Sequence, residues 1–490
     1  MIMRRYILTF AIALMLCLAG CSERPNNVVK TDNLPSIYPD YIGVTIPVGI
    51  APLNFNVDSA DRVEVVVTGS KDGELIANGD WADFDVEEWN DIVSKNIGGE
   101  LSFQTIAKRN GKWIQYAPFT IFVSEDSLSD FGVVYRKLAP GYETFSHIGI
   151  YQRDIHTFEE YPIVESTAAP GECMNCHAFK GTDPNLFQLH FRGLHGATLI
   201  QKDGVRRWLD TKTDSTIANC MYPYWHPSGD YCAYSLNLVR QRFFTRGEDY
   251  IDVFDRASDA VILDVRSNEI LLSDVLCTAD FESFPVFSSD GRTIYYCTSK
   301  NYQEAEDYEK LRYNLCRVSF DPQTGKIGDD VDTLLNVSSV EKSISFPTPS
   351  HDGRFLLYTY SNHGVFPINT CDADLWLYNI ATGETYPLDA VNSNESESYH
   401  SWSTNSRWIV FCSRRDDGLY SRLFVAHIDE NGNASKAFVL PQRNPREYYS
   451  RSHFAYNVPE FVSRKVEYDA QAAFSELFYD EREKVVPARR

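Results

Sequence analysis

Beyond its first twenty residues, this chain of 490 residues has no apolar run near the eighteen or more that a membrane-crossing helix needs. It also lacks a basic excess. Its 46 Lys and Arg face 68 Asp and Glu, a formal net charge of −22 with a pI near 4.9. That balance argues against nucleic acid and anionic lipid as partners. There is no Gly-x-Ser-x-Gly elbow and no alternating strand–helix region towards the C-terminus, which argues against a serine hydrolase.

What is present begins with an address. Arg4-Arg5 precede a largely apolar run from Tyr6 to Ala19, ending in Leu18-Ala19-Gly20-Cys21. A basic start, a short apolar stretch and small residues at the cut read as an export signal. The ending resembles the lipobox of bacterial lipoproteins. That resemblance implies that Cys21 becomes the first residue and carries lipid, and Ser22 behind it implies the outer membrane. A plain signal peptide with an incidental cysteine is the alternative. Residues 21–36 then read as a flexible tether.

Cys173-Met174-Asn175-Cys176-His177 spell Cys-x-x-Cys-His, the attachment signature of a c-type haem. Two thiols at this spacing form thioethers with the two vinyl groups, and His177 ligates the iron axially. With 11 Cys and 11 His in the chain, chance gives roughly 0.006 such matches. Zinc is the rival, because His190 and His195 follow at a spacing that broadly suits a Cys2His2 site. Asp183-Pro184 reads as the start of a helix carrying His190, on which His190 and His195 would face apart. Zinc also has no need of His177. A thioredoxin-like pair or a structural disulfide leaves His177 unexplained. The sixth iron position is open: His190 is the first candidate, with His195, Met221, His226 and His147 behind it. Met there would raise the potential, His would lower it, and an open position would permit ligand binding.

Turn chemistry gives an internal repeat. Tyr222-Pro-Tyr-Trp-His-Pro-Ser-Gly-Asp, Phe284-Pro-Val-Phe-Ser-Ser-Asp-Gly-Arg and Phe346-Pro-Thr-Pro-Ser-His-Asp-Gly-Arg each precede an aromatic or β-branched run. A degenerate copy starts at His400, with Ser406 where the others have Gly229, Gly291 and Gly353. Each unit reads as strand, tight turn, strand, and repeats of this length signal a β-propeller. Cys232, Cys297 and Cys412 fall in these strands and read as small buried hydrophobes. Cys220, Cys277, Cys316 and Cys371 could pair in an oxidising compartment.

The phrase Pro-x-Phe-Ser-x-Asp-Gly-Arg-x-Ile-x-Tyr resembles the blade motif of TolB-like propellers. With the lipobox, the Cys-Met-Asn-Cys-His motif, Tyr135-Arg-Lys-Leu-Ala-Pro-Gly-Tyr-Glu143 and Tyr456-Asn-Val-Pro-Glu-Phe461, the chain resembles a group of Gram-negative envelope lipoproteins. The resemblance implies an architecture more than an activity.

The expected fold is all-β: a TolB-like propeller of about five blades, six if upstream strands join, preceded by a β-rich sandwich-like domain. The expected divisions are a signal at 1–20, a tether at 21–36, the N-terminal domain at 37–165, a haem-motif linker at 166–195, the propeller at 196–461 and a charged tail at 462–490. A hairpin at 197–209 is expected to pair with 454–458 and close the ring. In the N-terminal domain, Asp85 with Glu88 predicts a helix start, and Gly98 its stop.

The expected function is an envelope lipoprotein with one covalent haem c, acting in electron transfer or redox-linked interaction. Its partner would be an envelope redox protein, or a protein bound on the propeller face near Trp225, Arg240 and Arg242. The alternative is a TolB-like binding scaffold whose Cys/His site is structural, holding zinc or haem. No catalytic residue is assigned, and a haem-dependent redox activity stays open.

Overall fold

The computed structural model describes residues 24–139, 147–169, 171–243, 251–302 and 305–487. The signal segment and Cys21 lie outside the described residues, as do parts of the 135–143 and 166–172 stretches. Two compact units emerge.

The smaller unit is β-rich and spans mainly residues 52–123. Its sheet runs in the order Val29–Lys30, Lys112–Gln115, Glu100–Arg109, Arg62–Gly69, Glu74–Gly79, with Phe119–Val123 also pairing Glu100–Arg109. The tether is therefore shorter than expected, because Val29 and Lys30 pair with Ile114 and Gln115. The helix forms at Val86–Lys95, as its cap predicts. Asp85 accepts from the amides of Glu87 and Glu88, and Trp89, Ile92 and Val93 are buried. Phe103 stacks on Phe119 with ring centroids 4.9 Å apart at the centre of this core.

The larger unit is a six-bladed propeller. Five blades are contiguous meanders whose innermost strands are Cys173–Lys180, Met221–Trp225, Phe281–Phe287, Ser343–Pro349 and Glu397–Trp402. The sixth is composite. Gly132–Leu138, Ile148–Asp154 and Glu160–Glu165 supply three strands, and Ala455–Val462 supplies the innermost. Strands expected in the N-terminal domain thus belong to the ring. The ring is closed by pairing of 455–462 with 132–138, not with the hairpin at 197–209. That hairpin forms the outer strands of the first blade. Its apolar face is already committed to that blade's core.

The turn residues behave as the repeat predicts. Gly229, Gly291 and Gly353 sit at φ of 75°, 70° and 72°, and Ser406 takes the same turn at 59°. Indoles clasp neighbouring blades: Trp225 Nε1 donates to the Ala178 carbonyl at 3.1 Å, and Trp402 Nε1 to that of Thr348 at 3.0 Å. Trp225 is buried and is not part of a docking face, whereas Arg240 and Arg242 are exposed. Cys232, Cys297 and Cys412 are fully buried, and all nine described cysteines are free thiols.

Two expectations about local structure fail. Residues 166–195 are not a linker: Cys173–Lys180 and Asp183–Arg192 form the first hairpin of a blade. No helix starts at Asp183. The segment alternates Leu186, Gln188 and His190 on one face with Phe187, Leu189 and Phe191 on the other, and both faces are buried. The charged tail is also organised. Ala470–Tyr479 is a helix, and Glu483–Lys484 and Val486–Pro487 add parallel edge strands to the first and second blades. Glu476 on that helix accepts from Arg206 and from the Trp208 indole.

Candidate functional site

A bulge interrupts the innermost strand of every blade. It occurs near Asn175, Tyr222, Phe284, Phe346, Tyr399 and Val458. Five of these six residues have positive φ, between 48° and 51°. That conformation costs a residue with a side chain about 1–3 kcal/mol, and its fivefold recurrence marks the bore as the specialised part of the ring. Pro or His follows the strained residue in each case (Pro223, Pro285, Pro347, His400 and Pro459). Pro is tolerated because this edge of the strand faces the channel and lacks a ladder partner.

All six bulges line one cavity in the bore. Four carry aromatic rings that touch in sequence. Ring centroids are 5.1 Å apart for Tyr222–Phe284, 4.2 Å for Phe284–Phe346 and 4.7 Å for Phe346–Tyr399. Asn175, Val458 and Arg136 complete the circle. Arg136, Asn175, Tyr222 and Tyr399 also line a second cavity, so this wreath is the constriction between the two.

The Cys-Met-Asn-Cys-His motif occupies the bulge of the first blade. Cys173 pairs with Arg192, Met174 with Phe191, Cys176 with His190 and His177 with Leu189, leaving Asn175 as the extra residue. Residues three apart on a regular strand point to opposite faces. The extra residue turns Cys173 and Cys176 to the same face. His177 emerges on the other. Both thiols are buried, and burial raises the Cys173 thiol, partly offset by Arg136 and Arg192.

The His177 side chain is wholly enclosed, with Nε2 3.4 Å from Glu460 Oε2. Neither atom makes a well-formed hydrogen bond, nor does His177 Nδ1, and the Val458 backbone is a further polar neighbour of the ring. Burial lowers His177 to about 3, helped by Arg136, and raises Glu460 to about 8. Both groups are driven towards their neutral forms near pH 7, so the contact is not an ion pair. Arg136 holds the bulge itself, donating to the Asn175 carbonyl at 2.8 Å and to its side-chain oxygen.

The motif residues are thus brought together at one bulge, and the other ligand candidates are not. His190 stands on the face opposite His177, with Nδ1 3.0 Å from Thr198 Oγ1. His195 is engaged by Glu172 at 2.9 Å. Among the described residues no group of three or more His, Cys, Asp or Glu side chains converges as a metal site, so the zinc set of Cys173, Cys176, His190 and His195 is not assembled. Met221 accepts from Arg192, His226 contacts the Gly291 carbonyl, and His147 contacts the Tyr151 hydroxyl.

Glu460 and Arg136 are missed by motif reading. The signal for Glu460 is Val458-Pro459, which repeats the bulge pattern of Phe284-Pro285 and Phe346-Pro347 and marks its segment as an innermost strand.

No protein-family model matches the chain, and no curated protein does. Solved structures overlap it at low identity. A periplasmic gluconolactonase of Pseudomonas aeruginosa is 11% identical with a TM-score of 0.39, covering 82% of this chain and 99% of its own. An oligogalacturonate lyase in complex with manganese is 12% identical with a TM-score of 0.37, covering 62% and 73%. A puromycin-hydrolysing peptidase of Mycobacterium tuberculosis is 12% identical with a TM-score of 0.35, covering 82% and 57%. Overlaps this slight carry no argument about activity; the propeller rests on its own strand pairing.

Proposed function

We propose that the chain is an envelope lipoprotein of TolB-like type that holds one haem c covalently at Cys173 and Cys176, with His177 as an axial ligand. The observation that carries this reading is the Asn175 bulge, which turns both thiols to one face of the strand and leaves on the other a buried imidazole without a well-formed hydrogen bond, its polar neighbours being Glu460 and the Val458 backbone. A buried imidazole so poorly satisfied is costly unless a ligand takes it up. The donor set fits the group, and the aromatic bore beside Cys176 and His177 offers an enclosed, largely apolar surround. The thiols and the imidazole lie on opposite faces of the strand, so they meet only around its channel-facing edge.

A haem bound here supplies a one-electron iron couple. The protein's contribution is electrostatic and steric. The neutral His177 is ready to ligate, Glu460 beside it is pushed towards its protonated form, and Arg136 is the nearby fixed cation. The partner is an envelope redox protein docking on the propeller.

The test is expression in a host competent for c-type maturation, followed by acid-acetone extraction, a reduced-minus-oxidised spectrum and a metal assay. The expected result is haem that stays with the chain, and loss of that colour in the Cys173→Ser/Cys176→Ser variant. A colourless wild-type protein with one zinc per chain would overturn the reading.

The second reading is a protein-binding scaffold whose Cys/His site is structural. What favours it is that Cys173 and Met174 lie within the apolar core shared by the first and sixth blades. In both readings Cys21 anchors the chain. Cys21→Ser is expected to move the protein from the membrane fraction to the soluble periplasmic fraction. An unchanged distribution on fractionation would count against lipidation.

A further inference from the structure

On the other side of the aromatic wreath, the bore opens into a second cavity. Arg136, Arg192 and Arg414 all line it, and no Asp or Glu does among the described residues. Elsewhere in this chain of net charge −22, several half-buried guanidiniums find a carboxylate. Arg206 meets Glu476, Arg207 meets Glu483 and Arg415 meets Glu397. The three cavity arginines meet only neutral acceptors. Arg136 takes Asn175, and Arg192 takes the Met221 thioether at 2.8 Å, a weak acceptor. Arg414 takes the carbonyls of Asn369 and Gly418. Arg414 is 5% exposed, and the Nε atoms of Arg136 and Arg414 are buried with no partner.

Like charges gathered in a partly dehydrated cavity repel one another, and each has lost part of its hydration. A small anion entering the cavity relieves both costs. The guanidinium fork suits a carboxylate in particular, through two parallel charge-assisted hydrogen bonds. The remaining wall sets apolar and aromatic groups (Val239, Phe243, Val253, Phe366 and Ile368) among the amides of Asn175, Gln241, Asn369 and Asn457. It suits an apolar body behind the charge rather than a bare inorganic ion. We propose that this cavity binds a small organic carboxylate, its charge held by Arg136, Arg192 and Arg414 and its apolar part packed against the aliphatic and aromatic wall. The assignment does not rest on the haem reading.

A carboxylate at these arginines has two sources, a free organic acid or the propionates of a haem attached at Cys173 and Cys176, and the experiment separates them. Benzoate and its neutral isostere benzamide are titrated calorimetrically into the full chain, both as matured and as the Cys173→Ser/Cys176→Ser variant that cannot attach haem. The expected result is benzoate binding to both forms, at least tenfold tighter than benzamide and weakened by salt. Arg192→Gln should weaken it at least tenfold with an unchanged thermal midpoint. Arg192 is half-buried and its one bond goes to a thioether, so this variant is expected to fold. Equal binding of benzoate and benzamide, or an Arg192→Gln variant with unchanged affinity, would overturn the proposal. So would benzoate binding confined to the variant that cannot attach haem, which would give the guanidiniums to the propionates.

Discussion

A chain ended at Phe454 will fail to fold as a propeller rather than lose one strand from it. The missing segment, Ala455–Val462, is the innermost strand of the sixth blade and pairs with Gly132–Leu138. It buries Tyr456, Phe461 and Val462, each contributing about 1.5–3 kcal/mol. That alone is comparable with the total stability of about 5–15 kcal/mol expected of a folded domain. Removing it also bares strand edges and deprives Gln152 of its bonds with Val466. The control is a chain ended at Asp469, which loses the Ala470–Tyr479 helix and the two edge strands but keeps the closing strand. The longer chain is expected to melt cooperatively at a lowered midpoint, the shorter to be insoluble or to show no cooperative transition by circular dichroism and calorimetry. A cooperative melt of the 454-residue chain would refute the composite sixth blade.

Arg422→Leu is expected to cost about 2–5 kcal/mol, because it leaves two partly buried carbonyls without their donor at about 1–3 kcal/mol each. This guanidinium is 1% exposed. It donates to the Phe454 carbonyl at 2.8 Å and towards that of Ser452 at 3.2 Å, immediately before the closing strand. It also lies over the rings of Tyr420, Tyr449 and Tyr456 at 5.2, 5.1 and 6.0 Å. Leucine fills much of the volume but leaves the carbonyls without their donor. Arg422→Lys should recover only part of the loss, because a single ammonium lacks the planar fork that bridges two carbonyls and stacks on rings. Urea denaturation of the three proteins measures this directly. A Leu variant within about 1 kcal/mol of wild type would show that the fifth blade holds the closing segment by packing alone.

The parts of this fold that sequence declares are those where one residue type answers one backbone demand. Gly229, Gly291 and Gly353 announce their turns because only glycine enters φ near 70° without cost, and Asp85 announces its helix through two amides it satisfies. Ser406 was legible only from its place in the repeat. The closing strand was legible at 454–458 but its partner was not, because Gly132–Leu138 lies over three hundred residues upstream, beyond any local signal. Asp183–Arg192 is buried on both faces, so its apolar residues show no clear period, and Asp183-Pro184 imitates a helix start. At the site, residue types revealed Cys173, Cys176 and His177. Their strand and their bulge were concealed because Cys173–His177 lacks the aromatic-Pro pair, and Lys180-Gly181-Thr182 the Asp-Gly turn, that mark the innermost strands Phe281–Phe287 and Ser343–Pro349. Once Asn175-Cys176 is set beside Phe284-Pro285, the first blade becomes visible.

The composite blade also imposes an order of events. Synthesis delivers residues 132–165 early and residues 455–462 late, so the ring stays ajar until nearly all of the chain has emerged. Throughout that interval Cys173 and Cys176 have no sixth-blade wall against them, and His177 has no Glu460 facing it. Anything to be joined to the thiols has its opportunity then. The last strand to arrive completes the wall beside the motif, so for a group joined to the thiols the timing of closure matters more than the width of a doorway.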